Sequence, residues 1–211
     1  MKQRPRFVQL VVSCVVLGIG VGLLLSAALG SDGYSTLISG ISISSDVPFL
    51  VVNCGVGAVF VALAWLRGVT PGWGTIVQPV VVGATVNGVL TVLDEPDSLL
   101  LRSVLLLAAL LVLVFGVAGY LGSGAGAGPA EAAALAFDPP VPFKWSYSVL
   151  QGGGALVGWL LGAAIGPGTV VVIFLLGPAV DLVSRRVRFL DIHASAGERR
   201  PLEDGELCAQ D

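Results

Sequence analysis

Two polar residues interrupt long apolar stretches, each at the same distance from a Gly-x-Gly-Thr motif. Asn87 follows Thr75 by 12 residues, and Asp181 follows Thr169 by 12 residues. A charged side chain at the centre of a bilayer costs roughly 3 kcal/mol on insertion scales, so such a residue is a candidate for function. Asp181 can take a proton or a cation, and both residues are candidate gate or coupling-ion contacts. The alternative is structural: Asp181 pairs with Arg185 one turn later, and Asn87 bonds a neighbouring helix.

Four further polar residues lie in apolar segments or beside them. These candidate substrate-binding or gating residues are Asp32, Glu131, Asn53 and Gln151. For the two amides, a hydrogen bond between helices is the simpler role. The two carboxylates stand where short helices are predicted to begin. Asp32 or Ser31 can cap a turn that Gly40 ends, and Glu131 suits a first turn that begins at Pro129.

The composition places these residues in a membrane protein. The chain has 211 residues, of which 55% are hydrophobic and only 12% are charged, and its mean hydropathy is +0.92. Soluble domains carry about 25% charged residues. Lipid offers no hydrogen-bond partners to a backbone, and the apolar runs are too long for barrel strands, so the spans are predicted to be helices. The predicted fold class is an all-α polytopic membrane protein.

Six apolar stretches are each close to the roughly 20 residues that a membrane-spanning helix needs. They cover about 7–28, 47–66, 75–93, 99–121, 145–162 and 168–187. The first stretch could be taken for a signal peptide, because Lys2, Arg4 and Arg6 precede it. Its apolar run exceeds the about 7–15 residues of a signal sequence, which favours an uncleaved membrane anchor.

Lysine and arginine are unevenly distributed along this pattern of spans. If the N-terminus is cytoplasmic, ten of the eleven basic residues face the cytoplasm, and only Arg102 lies near an outer end. This bias predicts a multi-pass protein of the plasma membrane with both termini in the cytoplasm. The acidic segment 189–211 has few apolar residues and is predicted to be a disordered cytoplasmic tail.

The chain contains an internal repeat at a shift of 94 residues. Nine of the 23 positions in 65–87 are identical after the shift. The repeated motif is Gly72, Gly74 and Thr75 in the first copy and Gly166, Gly168 and Thr169 in the second. The repeat divides the chain into two three-span units, 1–93 and 94–188, and the odd number of spans inverts the second unit. Inverted repeats are common in secondary transporters, and we interpret the two motifs as hinge turns.

Two links between the spans are long for so compact a chain. They cover 29–46 and 122–144, and each begins with glycines that a short helical pattern follows. Inversion would bring one link in from outside and the other from inside, as re-entrant half-helices that meet in the membrane. Non-helical backbone is tolerated at that depth only when it is buried in protein or lines a water-filled cavity. The alternative is two surface loops with short interfacial helices.

The glycine motifs together resemble those of a known family. Gly30 and Gly33 are followed by the first Gly-x-Gly-Thr motif, and Gly126–Pro129 is followed by the second. This pattern resembles the YczE/YitT-type family of small bacterial integral membrane proteins over nearly all of residues 10–188. The resemblance implies a multi-span helical protein of the plasma membrane with suspected transport, and it supplies no catalytic residues. Gly33 stands where Pro is expected, and Glu131 stands where Asp is usual.

The motifs of enzymes and metal sites are not found in the sequence. The chain has one histidine, and it lacks an HExxH motif, a CxxC pair and a carboxylate cluster, so neither an enzyme nor a metal or cofactor site is predicted. Topology explains the basic residues, so nucleic acid is not an expected partner. The predicted function is a small-molecule or ion transporter that works in the bilayer by alternating access. The alternative is a non-transporting membrane protein that assists or scaffolds a partner, and either could form homo-oligomers.

Overall fold

The computed structural model describes residues 7–137, 140–141 and 143–186, and for 143, 144, 177, 178, 181 and 184–186 it describes the backbone only. This part of the chain forms eight α-helices: α1 (Phe7–Ser26), α2 (Gly33–Ser45), α3 (Phe49–Leu66), α4 (Trp73–Val92), α5 (Leu99–Gly122), α6 (Pro129–Leu135), α7 (Phe143–Leu160) and α8 (Pro167–Arg186). The predicted tail 189–211 lies outside the described residues.

Four of these helices, α1, α3, α4 and α5, are long and apolar enough to cross a membrane. Helix α8 adds a shorter apolar stretch, Pro167–Leu176. The chain is therefore an integral membrane protein, as its composition predicts, and the residues that the structure describes form helices and no strands. Each of the six stretches predicted from hydropathy coincides with a helix, and their ends differ by two residues at most. The remaining helices, α2 and α6, are the short helical patterns predicted in the two long links.

Helices α1 and α5 pack closely together, and α1 also packs on α4. Gly116 of α5 lies against the backbone of Leu17, and a methyl group added to this glycine would come within 2.7 Å of the Leu17 Cα atom. On another face of α1, Gly18 lies against Thr85 of α4. Small residues at these positions bring the helices close enough for dispersion contacts to hold them together in lipid.

Helix α2 lies along α7, and the two helices run in the same direction. Gly33 at the start of α2 contacts Gln151, and Gly40 contacts Gly158, seven residues further along each helix. The prediction that Gly40 ends this helix is wrong, because α2 continues to Ser45. The absence of a side chain at Gly40 serves the close approach of two backbones and not a helix end. Helix α2 therefore begins near the middle of α7.

Helix α6 lies along α3 in the corresponding way. Pro129, the first residue of α6, lies beside Gly57 in the middle of α3, and Ala132 of α6 and Ala136, which follows the helix, pack with Ala64. Phe137, which follows α6, lies under the guanidinium group of Arg67, with 4.5 Å between the guanidinium carbon and the ring centre. Helix α6 therefore begins near the middle of α3 and runs towards its C-terminal end.

Arg102 stands in the first turn of α5 and is bonded to the loop between α4 and α5. It is the basic residue predicted to lie near the outer end of a membrane span. Its guanidinium group forms an ion pair with Glu95 at 2.5 Å, and its Nε atom donates to the carbonyl of Pro96 at 2.6 Å. The positive charge is therefore compensated locally.

Candidate functional site

The first Gly-x-Gly-Thr motif packs against the loop that precedes α6. The amide of Gly74 donates to the carbonyl of Ala125 at 2.9 Å. The next residue of the loop, Gly126, has φ = +122°, a conformation that glycine adopts without steric cost. The hydrogen bond between Gly74 and Ala125, and the close packing of these two residues, join the start of α4 to the loop. We call residues 72–75 together with 125–127 the Thr75 interlock.

The second motif makes the same kind of contact with the loop that precedes α2. The amide of Gly168 donates to the carbonyl of Leu29 at 2.8 Å. Gly30 follows with φ = +101°, again in the region that favours glycine. We call residues 166–169 together with 29–31 the Thr169 interlock. The two motifs therefore bind equivalent loops, and each binds the loop that lies in the other half of the chain.

The two interlocks differ in the hydrogen bonds of their threonines. Thr75 is 1% exposed, and its hydroxyl donates to the carbonyl of Ala127 at 2.6 Å and accepts from the amide of Gly72 at 3.2 Å. Thr169 is 7% exposed, but its hydroxyl has no hydrogen-bond partner. A buried hydroxyl that lacks a partner loses its hydration without compensation. The Thr169 interlock is therefore the less completely bonded of the two.

The N-terminal ends of α2 and α6 meet beside α3. A methyl group added to Gly57 would lie 3.5 Å from the Tyr34 hydroxyl oxygen and 3.5 Å from the Cγ atom of Pro129. Tyr34 stands in the first turn of α2, and Pro129 is the first residue of α6. The hydroxyl of Tyr34 is buried and has no hydrogen-bond partner. Both helix ends therefore face one shared region in the interior.

Each of these helix ends carries one carboxylate. Asp32 is the N-cap of α2, and its Oδ2 atom accepts from the amide of Ser35 at 3.0 Å. Glu131 stands in the first turn of α6, where Gly128 occupies the N-cap position without a side chain. Negative charge near a helix N-terminus interacts favourably with the helix dipole. Asp32 and Glu131 also interact electrostatically with each other, and no group of three His, Cys, Asp or Glu among the described residues is placed to hold a metal ion.

Polar atoms from three helices surround Gly128. A methyl group added there would lie 2.5 Å from Glu131 Oε2, 3.1 Å from the Tyr120 hydroxyl and 3.2 Å from Gln78 Nε2. The Tyr120 hydroxyl also donates to the carbonyl of Gly126 at 3.1 Å. The absence of a side chain at Gly128 therefore leaves room for the carboxylate of Glu131 and for its polar neighbours.

Two buried amides connect the long helices around this region. Gln151 of α7 accepts from the amide of Tyr34 at 3.0 Å through Oε1 and donates to the Tyr147 hydroxyl at 2.8 Å through Nε2. Asn53 of α3 is 3% exposed, and its Nδ2 atom donates to the carbonyl of Pro79 on α4 at 2.7 Å. Both amides bond between helices, and Gln151 also holds the first turn of α2.

The residues predicted for substrate binding or gating fall into three groups. Those at the two helix ends are Asp32, Glu131 and Gln151, and Asn53 lies one turn along α3 from Gly57. Asn87 is half-buried on α4, nine residues beyond Gln78, which places it about 13 Å further along the helix. The side chain of Asp181 lies outside the described part of the chain. The structure thus brings together Asp32, Glu131 and Gln151 but not Asn87.

Tyrosines supply polar groups that the sequence interpretation did not include. The chain has three tyrosines, and all of them, Tyr34, Tyr120 and Tyr147, contribute hydroxyls near Glu131, Gln151 or the shared helix ends. The sequence offered one signal, because each tyrosine lies within or next to an apolar stretch. A hydroxyl on an apolar segment that faces the protein interior normally finds a polar neighbour.

Comparisons with known proteins cover this whole region. The model of DUF6198, described as a family of unknown function, matches residues 4–185. An uncharacterized protein of Haemophilus influenzae is 29% identical over 174 residues, which cover 79% of this chain and 77% of the relative. No solved structure matches the chain. The family match includes both interlocks and both helix ends.

Proposed function

The chain belongs to the DUF6198 family, and from this premise we propose that it is a six-span transporter built from two inverted three-span units. In this proposal α1, α3, α4, α5, α7 and α8 cross the plasma membrane, and both termini are cytoplasmic. Helices α2 and α6 are half-helices that begin near the midplane. A small molecule or ion binds between their N-terminal ends and is released to the two sides in turn. The meeting of these ends beside Gly57 is the observation that carries the proposal.

The pairing of helices supports two equivalent units. Helix α1 packs on α4 as α5 packs on α8, and α2 packs on α7 as α6 packs on α3. The counterparts in the two halves are α1 and α5, α2 and α6, α3 and α7, and α4 and α8. If each helix in these four pairs is replaced by its counterpart, the same four pairs result. The two interlocks obey the same exchange, because each motif bonds the loop in the opposite half. A duplicated unit that is inverted in the membrane is expected to produce such an arrangement.

The directions of the short helices support their assignment as half-helices. Helix α2 runs parallel to α7, α6 runs parallel to α3, and the proposed topology makes α3 and α7 antiparallel. Because each short helix begins near the middle of its partner, the loop before it must reach that depth. Residues 29–31 and 125–127 make this approach, and the interlocks bury Gly30 and Ser31 and partly bury the rest. Burial of this kind is the condition under which non-helical backbone is tolerated within a membrane.

The tryptophans support α7 as a membrane-spanning helix. All four are exposed, by 55% to 77%. Trp145 and Trp159 lie near the two ends of α7, whereas Trp65 and Trp73 lie at the end of α3 and the start of α4, on one side of the membrane in the proposed topology. Tryptophan is enriched at both membrane–water interfaces, where its ring is anchored between lipid and water.

The polar groups of the site favour a neutral or positively charged solute. The two helix ends already meet the carboxylates of Asp32 and Glu131, so an anion would encounter negative charge there. Tyrosine hydroxyls and amides can both donate and accept hydrogen bonds, as a neutral polar solute requires. A carboxylate can also take up a proton or a cation that drives transport. The site therefore suits an uncharged polar molecule or a cation.

Uptake into proteoliposomes tests the proposal. The purified chain is reconstituted, and counterflow is measured for panels of neutral, cationic and anionic small metabolites. We expect uptake from the neutral or the cationic panel. Glu131→Gln and Gln151→Leu should each lower the rate at least tenfold, about 1.4 kcal/mol, because they remove polar groups at the helix ends. Asp97→Asn is the control, since Asp97 is exposed in the loop between α4 and α5, and it should keep the rate within twofold.

A different outcome would support the alternative function. If folded, reconstituted protein takes up no member of the three panels, and a second protein copurifies in stoichiometric amount, the chain assists or scaffolds a partner and is not a transporter. Uptake that the Glu131 and Gln151 substitutions leave unchanged would instead keep transport but remove the site from the helix ends.

A further inference from the structure

We infer that the two interlocks are unequal gates, and that the Thr169 interlock opens more readily than the Thr75 interlock. The inference rests on the proposed transport function and adds to it which of the two gates moves. Each interlock holds the loop that leads into one half-helix, so its opening would expose that end of the site.

Side chains reinforce the Thr75 interlock at three points. The hydroxyl of Thr75 bonds the carbonyl of Ala127 and the amide of Gly72. The hydroxyl of Tyr120 donates to the carbonyl of Gly126 at 3.1 Å. The bonds to Gly126 and Ala127 hold the loop next to the backbone hydrogen bond between Gly74 and Ala125. To separate the motif from the loop, the chain must break the Thr75–Ala127 bond together with the Gly74–Ala125 bond.

The corresponding bonds are missing from the Thr169 interlock. Ser31 stands two residues after Leu29, as Ala127 stands two residues after Ala125, so its carbonyl is the equivalent acceptor. That carbonyl accepts from the hydroxyl of Thr36 at 3.3 Å, and the hydroxyl of Thr169 has no partner. The position equivalent to Tyr120 is Leu24, which has no hydroxyl. Between the described residues of this motif and this loop, the backbone bond from Gly168 to Leu29 remains, while the Ser31 hydroxyl bonds the Thr36 hydroxyl within its own half at 2.8 Å.

A cavity adjoins the less bonded interlock. It has a volume of about 150 Å³, and Gly30, Ser31 and Ser39 line it together with Glu95 and Gly162. Polar atoms line part of it, so water can occupy it and bond the groups that an opening exposes. The loop 29–31 therefore has space into which it can move. A hydrogen bond that breaks there is replaced at low cost.

Hydrogen exchange compares the two gates directly in the unaltered chain. The amides of Gly74 and Gly168 are equivalent, because each makes the backbone hydrogen bond of its interlock. We expect the Gly168 amide, in protein reconstituted into nanodiscs, to exchange at least about tenfold faster than the Gly74 amide, as a difference of one or two hydrogen bonds predicts. Equal rates, or faster exchange at Gly74, would overturn the inference.

Two matched variants test the cause of the difference. Thr75→Val keeps the shape of the side chain and removes its hydroxyl, and it should raise the exchange rate of Gly74 towards that of Gly168, because the bond from Tyr120 to Gly126 stays in place. Thr169→Val removes a hydroxyl without a partner and should leave the Gly168 rate within twofold. If both substitutions change exchange equally, the threonine hydroxyls do not set the difference. Because exchange requires no substrate, unequal gates without measurable uptake would refute the transport proposal and leave the unequal opening intact.

Discussion

The two half-helices are held against their partner helices by different means. Helix α2 meets α7 through glycines, and a methyl group added to Gly33 or Gly158 would overlap backbone atoms of the other helix. Helix α6 meets α3 through side chains: alanines pack with Ala64, and Arg67 covers the ring of Phe137. Backbones in contact leave no side chain that can adjust, whereas alanine and arginine side chains can. Helix α2 is therefore the more rigidly seated of the two.

This contrast complements the contrast between the interlocks. Helix α2 is fixed to α7, but the loop before it makes few hydrogen bonds in the Thr169 interlock. Helix α6 contacts α3 through side chains, but the loop before it is firmly bonded in the Thr75 interlock. If α2 moves, we expect α7 to move with it as one body, and the loop 29–31 to supply the flexible point. In the other half, α6 is expected to remain with the start of α4.

Substitution in the glycine contacts between α2 and α7 (the glycine seat of α2) gives the largest expected change in stability. Gly158→Ala places a methyl group against the backbone of Thr36, so the two helices must separate, and we expect a loss of about 3 kcal/mol in unfolding free energy. Gly152→Ala on the same helix is the control, because no atom lies within 4 Å of the added methyl group. The control should be neutral or stabilised by up to about 1 kcal/mol through helix propensity. Denaturant unfolding in detergent measures both, and equal stability of the two variants would refute the glycine seat.

Hydropathy and spacing predict the individual helices of this fold, and the repeat predicts that the two links meet, but neither predicts which loop each Gly-x-Gly-Thr motif contacts. The six apolar stretches and the two short helices can be located in the sequence because each depends on a local run of residues. The two Gly-x-Gly-Thr motifs are equally visible. That each motif bonds a loop in the opposite half is a long-range pairing, and local patterns carry no information about it.

The candidate site illustrates the same limit. Asp32 and Glu131 can be proposed from helix-start signals, because capping is a local preference. The equal spacing of Asn87 and Asp181 suggested a shared role, but spacing along a helix fixes depth and not the direction of a neighbour. The structure places Asn87 further along α4 than the region in which the N-terminal ends of α2 and α6 meet. Tyr120 could not be assigned to the site, because its neighbours there come from other helices.

The threonines of the interlocks give the next largest effect. Thr75→Val leaves a partly buried carbonyl and a partly buried amide without their hydroxyl partner, and we expect a loss of about 1–3 kcal/mol in unfolding free energy. Thr169→Val removes a hydroxyl that has no partner, so stability should stay the same or rise slightly. Thermal unfolding of the two variants under one condition provides the comparison. A larger loss for Thr169→Val would reverse the order assigned to the interlocks.

The N-caps of the two half-helices should differ in their contribution to stability, by less than the threonines do. Asp32 caps α2 through the amide of Ser35, so Asp32→Ala should cost about 1 kcal/mol of stability. Asp32→Asn is the matched control, because its amide oxygen can still accept this bond, and it should cost only a few tenths of a kcal/mol. Helix α6 has no side-chain cap at Gly128 to lose. If Asp32→Asn and Asp32→Ala are equally destabilised, the charge of Asp32 matters more than its role as a cap.

The contact between Arg67 and Phe137 gives the smallest expected effect. Phe137 is 38% exposed, and at an exposed site a guanidinium group over an aromatic ring contributes about 0.5–1 kcal/mol. Single substitutions would mix this term with the packing of the arginine stem against the end of α6. A double-mutant cycle with Arg67→Met and Phe137→Leu separates the two, because it reports only the coupling between the side chains. A coupling near zero would mean that the alanines alone seat α6, and that this half-helix depends on its interlock for its position.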